Sequence, residues 1–515
     1  MLCLTITCLT DAGAVRVPFT PGQSVLDAVR AHGGLPVHAP CGGMGTCHKC
    51  TVYLTGADGE RPVLACRTPA AEGMTLRLPA AAPLAVETGG PLACPPDAPE
   101  PGFGIACDIG TTTVVCHLVD LESGRVAATA GEGNAQRPYG GDVIARIKAS
   151  ADGLRPALTA AVRGQLSRLI EALCAHEGVS LSQVKRMTVA ANTTMCHLLA
   201  GLPPDGLGAA PFTPVSLFGD WHSARALDLP FEGEVYLSPA VSGYVGGDIT
   251  ADLLCAGADR EDTPVLLIDV GTNGEMALGC GGRFVCCSTA AGPAFEGAQI
   301  RFGMTAAEGA VSAVTLEDGK VACTVLGGGE ARGICGSGLF DAVAVMLRLG
   351  AVDETGRILD PEEDDDIPAG ALPYLFSLDG ECAFRLSGGV AVTQADVRKL
   401  QLGKGAIAAG ISILRRTYGG SFGPIRALLL AGGFGSYIRP ESAARIGLIP
   451  ADLLEVTRPI GNAAAGGALM ALVSERNRAR LSALQKNMEY VELSGLPAFN
   501  EVYMDAMLFP EEDAR

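Results

Sequence analysis

Residues 104–118 read GIACDIGTTTVVCHL, and residues 265–278 read VLLIDVGTNGEMAL. Each is an apolar run ending in Asp-x-Gly-Thr, followed at once by a second apolar run. That is the pattern of a strand, a tight turn and a returning strand. Glycine at the tip lets backbone N–H groups press against an anion, and Thr and Asn side chains add donors. The strand-end carboxylates, Asp108 and Asp269, are hard oxygen ligands suited to Mg²⁺, usually through water. One such hairpin is a common turn. Two copies facing each other, Asp108, Gly110, Thr111, Thr112 and Thr113 on one and Asp269, Gly271, Thr272 and Asn273 on the other, would grip a chain of phosphates from both sides. A third element, ALLLAGGFGSY at 427–437, reads as a buried strand running into Gly432-Gly433. A glycine pair there lets a flat base and its ribose lie on the backbone. No G-x4-G-K-S/T occurs, so this is not a P-loop.

Outward from the hairpins, strands alternate with long helices from residue 103 onward, an α/β pattern. Helices are expected at about 155–177, 247–257, 338–349, 394–416 and 463–475. The segment SGYVGGDITADLL (242–254) puts Asp248 at the start of one of them. Asp248 is the candidate for polarising an attacking water, and a plain N-cap is the other reading. GPAFEGAQI (292–300) and GICGSGLFDA (333–342) are glycine-rich turns expected to line the same cleft. The acidic run at 362–366 reads as a solvated loop without a role.

The first 80 residues have a different texture. Residues 2–8 and 14–18 alternate as a hairpin, and Ser24 with Asp27 forms a capping box before SVLDAVRAHG. Strands follow at 51–55, 62–66 and 74–78. Two hairpins on one helix make a β-grasp-like unit. Inside it lie Cys41, Cys47, Cys50 and Cys66, spaced C-x5-C-x2-C-x15-C in APCGGMGTCHKC…LACRT. Four thiolates around two irons need a backbone that curls about the inorganic core, and Gly42, Gly43 and Gly45 permit it. Structural zinc is the alternative, but such sites usually use two C-x2-4-C pairs, and here there is one. The remaining cysteines are scattered and read as small buried hydrophobes. Cys286, Cys287 and Cys335 sit near glycine motifs.

Composition agrees with two units. The chain is 48% hydrophobic and 18% charged with net charge −18, enough for large cores and unfavourable for binding nucleic acid. In residues 1–80, Arg16, Arg30, Lys49, Arg61, Arg67 and Arg77 balance Asp11, Asp27, Asp58, Glu60 and Glu72. Nearly all the acidity therefore lies downstream. Residues 79–102 are rich in Pro, Ala and Gly and read as a semi-extended linker that would let the small domain swing. No run of about 18 uncharged apolar residues suggests a membrane helix, so no membrane partner is expected. The N-terminus lacks the basic region of a signal peptide. Eighteen cysteines without an export signal point to a reducing, cytoplasmic setting.

The cysteine spacing resembles 2Fe–2S ferredoxins, in particular the adrenodoxin-like class with five residues in the first gap. The paired Asp-x-Gly-Thr hairpins and later Gly-Gly resemble the acetate and sugar kinase/Hsp70/actin superfamily, two ribonuclease-H-like lobes with ATP between them. The whole order, with AGPAFEGAQI, ICGSGLFD, ALLLAGGFG and the tail VELSGLPAFNEVYMDAMLF, is similar to the reductive activators of corrinoid proteins. The division this implies is a ferredoxin-type domain at 1–80, a linker at 81–102, an actin-like ATPase at 103–480 with lobes of about 103–260 and 261–480, and a tail at 481–515 packed on the ATPase. The resemblance implies a 2Fe–2S cluster on the four cysteines, ATP with Mg²⁺ at the hairpins and Gly432-Gly433, and an electron passed to a Co(II) corrinoid protein to restore Co(I). It also implies an upstream low-potential electron donor. Larger members carry an extra segment between ferredoxin and ATPase, where this chain has only the linker. The alternatives are a redox ATPase with another acceptor, a small-molecule kinase, or a nucleotide switch with a redox-sensing domain. A monomer and a homodimer both remain open.

Overall fold

The computed structural model describes all residues except 1–3, 11–12, 33–34, 36, 38, 40–42, 46–48, 57–58, 80–91, 298, 420–422 and 512–515. The described part of the N-terminal unit is a five-stranded sheet. Its order is Gly13–Pro18, Thr5–Thr10, Thr75–Arg77, Thr51–Gly56, Gly59–Leu64. The last strand, Thr75–Arg77, slots between the two hairpins, parallel to Thr5–Thr10 and antiparallel to Thr51–Gly56. The helix Val25–His32 turns Val25, Leu26, Ala28 and Val29 into the core. Ser24 and Asp27 exchange the hydrogen bonds of a capping box, 3.0 Å and 3.2 Å to each other's backbone N–H.

Two six-stranded sheets follow, built on one plan. In the first, Phe103–Ile109 pairs antiparallel with Thr113–Asp120, which pairs with Val126–Gly133. On its other side it pairs in parallel with Val184–Ala191. In the second, Val265–Val270, Gly274–Cys280 and Arg283–Thr289 repeat the meander, with Ala427–Ala431 as the parallel neighbour. These central strands are buried on both faces, so they read as continuous Val, Ile, Leu and Ala rather than alternating. The duplicated lobe seen in the two quoted motifs is therefore a duplicated topology.

Helices cover the sheets. Arg155–Glu177 buries Leu158, Val162, Leu166, Leu169, Ile170 and Leu173 at three- and four-residue spacing and ends at Gly178 with φ 68°. Gln394–Tyr418 starts with a capping box between Thr393 and Asp396 and covers the second meander.

The second lobe is not one continuous stretch, contrary to the expectation of a lobe spanning 261–480. The helix Ala463–Val473 returns to the first lobe. Thr188 Oγ1 donates to Ala468 O at 2.6 Å and Arg186 Nε to Leu472 O at 3.0 Å. A second helix, Glu475–Asn487, runs through position 480, so no separate tail begins there. Its end leads into Met488–Tyr490, which closes the second sheet against Arg283–Thr289. The C-terminal helix Pro497–Met507 lies on Gln394–Tyr418, where Gln401 Nε2 donates to Met507 O at 3.0 Å.

Candidate functional site: a carboxylate-floored cleft and a cysteine loop

The two hairpin tips face each other across a cavity of about 420 Å³. It is lined by Asp108, Gly110, Thr111, Thr112 and Thr113 from the first hairpin and by Asp269, Gly271, Thr272 and Asn273 from the second. Gly432, Gly433 and Asp248 line it too. Every residue expected at a nucleotide site is thus brought to one cleft.

The local reasons are legible atom by atom. The strand Ala427–Ala431 lies beside Val265–Val270, so the chain leaves it directly over Asp269. At Gly432, φ is +86° and a Cβ would stand 2.2 Å from Asp269 Oδ1, so only glycine fits. The first tip is braced from behind. Asn134 donates from its backbone to Thr112 O at 2.8 Å and from Nδ2 to Gly110 O at 2.7 Å. Arg146, fully buried, donates to Thr111 O and to Gly140 O. Asn462, the N-cap of the returning helix, donates to Asp108 Oδ2 at 2.9 Å.

Asp248 is the second residue of the helix Gly247–Ala256; the N-cap is Gly246. Its carboxylate accepts from Ile249 N at 2.9 Å and faces the cavity. One turn on, at the helical spacing of four, stands Asp252. It is 1% exposed, and neither of its carboxylate oxygens meets a donor. Its partner is the Asp269 carboxylate, with which it can only share a proton. Glu275 completes the acidic floor.

Burial and mutual repulsion push these acids up together. Burial, opposed by the Asn462 bond and aided by Asp248, takes Asp108 up to about 7. Burial takes Asp248 up to about 6. Asp269, Asp252 and Glu275 are raised for the same reasons. Among the described residues no Lys or Arg lines the cavity, and the unpartnered oxygens of Asp252 among these buried carboxylates have the chemistry to receive a cation. Among the described residues no three acidic, His or Cys side chains converge closely enough to ligate an ion directly. The arrangement fits Mg²⁺ held through its waters.

In the N-terminal unit, Cys41 and Cys47 lie outside the described residues. Cys50 and Cys66 are side by side, Sγ to Sγ 3.3 Å, well beyond the ~2.05 Å of a disulfide. Gly43 and Gly45 have φ of +99° and +77°, and the Arg67 side chain lies against Gly45 and donates to Met44 O. Two adjacent thiols under a positive-φ glycine loop fit two ligands of one iron. Elsewhere Cys107, Cys116, Cys196, Cys286 and Cys287 are buried, with their thiols pushed up by burial where a shift is seen, and inert. Cys335 lines the cleft.

Comparison with known proteins matches residues 9–71 to the 2Fe–2S iron–sulfur cluster binding domain, 103–261 to the RACo middle region and 263–515 to the C-terminal ASKHA domain of RACo. The corrinoid activation enzyme RamQ of Eubacterium limosum is 34% identical over 426 residues, covering 80% of this chain and 71% of that one. The chain belongs to the family of reductive activators of corrinoid proteins. A Methanosarcina barkeri member, the Co(II) methylated amine-specific corrinoid protein reductase, is 28% identical over 68% of this chain and 66% of its own. The solved reductive activator for corrinoid, iron–sulfur protein superposes with TM-score 0.70 at 28% identity, covering 99% of this chain and 98% of that one.

In this chain the small unit touches both lobes beside the cleft. Arg30 Nε donates to Pro138 O of the first lobe. Lys49, next to Cys50, donates to Gly303 O of the second at 3.4 Å. Among the described residues no helix is long and apolar enough to cross a membrane. Sequence reasoning expected the turn that carries Glu296 to line the cleft but gave Glu296 no role, and it did not single out Asp252, Glu275 or Asn462. Asp252 had a signal, its four-residue spacing from Asp248 on one helix face. The role of Glu296 had none, because its partners are Thr112 and Thr272, which only folding brings together.

Proposed function

We propose that this chain binds ATP with Mg²⁺ in the cleft and uses it to drive single electrons onto a Co(II) corrinoid protein, restoring Co(I). Cys41, Cys47, Cys50 and Cys66 would hold a 2Fe–2S cluster, which would supply those electrons one at a time from an upstream low-potential donor in the cytoplasm. The observation that carries the reading is the meeting of two Asp-x-Gly-Thr tips and Gly432-Gly433 over an acidic floor, in a chain of this family with a cysteine loop.

The roles follow from the atoms. Threonine hydroxyls and tip amides donate to phosphate oxygens. Asp108, Asp252 and Asp269 would hold Mg²⁺ through its waters, and the ion would supply positive charge against the phosphate oxygens. Asp248, facing the cavity from the first turn of its helix, orients the attacking water. The flat glycine shelf at Gly432-Gly433 receives the base and ribose.

Coupling is needed because the transfer runs uphill: each ~59 mV of unfavourable one-electron potential costs about 1.4 kcal/mol. Lobe closure on the nucleotide changes how partner and ferredoxin unit are held, which blocks back-transfer. The test is phosphate release from ATP by the reduced protein, alone and with a Co(II) corrinoid protein. Release stimulated by the partner, without any phosphorylated small molecule, is expected. A rate indifferent to the partner rejects the coupling.

A further inference from the structure

The carboxylate of Glu296 spans the two hairpins. Thr112 Oγ1 donates to its Oε2 at 2.6 Å, and Thr272 Oγ1 donates to its Oε1 at 2.6 Å. One hydroxyl comes from each hairpin tip: Thr272 directly follows Gly271, and Thr112 stands one residue further along its own tip, at the position Asn273 holds in the other. An anionic group that accepts one hydroxyl from each tip is in the position a terminal phosphate would need.

Glu296 also sits at the root of the segment that meets the cysteine loop. It is the last residue of the short helix Pro293–Glu296. The next residue, Gly297, is locked against Gly303 and Met304. A Cβ on Gly303 would stand 1.9 Å from Gly297 O, and one on Gly297 would stand 2.5 Å from Met304 O. Such backbone-on-backbone contact moves as one piece. Gly303 O is the acceptor of Lys49, one residue from Cys50. On the other side, Thr112 O accepts from Asn134, at the start of the loop whose Pro138 O accepts from Arg30. Arg137, between them, lies in the field of Glu296. These two contacts of the ferredoxin unit thus lead back to the same carboxylate.

We infer that Glu296 is a built-in phosphate surrogate that holds the ferredoxin unit docked while the cleft is empty. A triphosphate takes the two threonine hydroxyls and repels the carboxylate. Glu296 then leaves, Gly297 and Gly303 move with it, and the grip on Arg30 and Lys49 loosens. This makes Glu296 a positioning residue rather than a catalytic one. The inference rests on the proposal that the cleft binds ATP.

The test uses the full-length, cluster-loaded protein with Glu296→Gln and Glu296→Ala. Glutamine keeps the shape but can accept from only one hydroxyl, so it serves even where alanine folds poorly. Calorimetry with Mg·AMP-PNP and Mg·ADP is paired with hydrogen exchange at the helix Val25–His32. Removing a competing charged acceptor is expected to tighten Mg·AMP-PNP binding about tenfold or more for alanine, less for glutamine, with a smaller change for ADP. In the unaltered protein AMP-PNP should speed exchange of that helix. In the alanine variant exchange should already be fast without nucleotide. Variants that bind AMP-PNP no more tightly than the parent, or a helix indifferent to nucleotide in both, overturn the inference while leaving the ATP site standing. A parent protein that binds neither nucleotide overturns both.

Discussion

The acids of the cleft floor work against the metal-free fold. A carboxyl whose folded pKa lies above its unfolded value binds more protons folded than unfolded between the two. Stability is then fully present below the unfolded value and is lost as pH rises through the folded one. Asp108 at about 7 and Asp248 at about 6 set that window. The melting temperature of metal-free protein should therefore fall between about pH 5 and pH 8.5, and Mg²⁺ with nucleotide should restore it. A melting temperature that rises over that range without metal would contradict the assignment. Asp252→Asn removes one buried charge and gives Asp269 a donor. It should stabilise the metal-free protein by about 1–2 kcal/mol while weakening Mg·ATP binding at least tenfold, read by thermal melts and calorimetry. Of these residues, Asp108 and Asp269 were legible because an acid ending an apolar strand before Gly-Thr has a local pattern. Glu275 sits inside a strand that otherwise reads as core, and Asn462 reads as an ordinary helix cap. Only tertiary contact gives either a role.

At the scale of elements, the cleft depends on two close approaches where a side chain would intrude. Gly432→Ala would place a methyl against Asp269 at a left-handed φ, at about 1–3 kcal/mol. Nucleotide binding should be lost with the fold retained; binding unchanged would show that the shelf is not used. The helices Gly247–Ala256 and Ala463–Val473 cross where a Cβ on Gly467 would stand 2.2 Å from Ala251 O. Gly467→Leu should force these two helices apart, displacing Asp248 and Asn462 near their ends, and abolish ATP hydrolysis while leaving the iron–sulfur spectrum intact, since the cysteines lie in another unit. The long helices were legible because their apolar spacing and caps are local. The crossing back of Ala463–Val473 was not, since an Ala-rich helix carries no mark of which sheet it will cover. Glu475–Asn487, ERNRARLSALQKN, is so charged that only Asn477, Leu481 and Leu484 are buried, too few to announce a helix by pattern.

For the whole molecule, the order of units along the chain becomes an arrangement in space: an N-terminal unit that meets one lobe through the helix Val25–His32 and the other through Lys49, beside Cys50. The fold class was legible because each unit carries its own short motif. The contacts Arg30 to Pro138 and Lys49 to Gly303 join segments remote in sequence, and no motif encodes them. Cys66→Ser should cost the protein most of its iron and sulfide yet leave Mg·ATP binding intact; zinc at those thiolates in anaerobically prepared parent protein would remove the electron carrier altogether. The most direct test of the account is the absorbance of Co(I) in an anaerobic mixture of the protein, a Co(II) corrinoid protein and a low-potential reductant, followed before and after ATP is added. The account predicts that Co(I) accumulates on addition of ATP; equal Co(I) with and without ATP would contradict it.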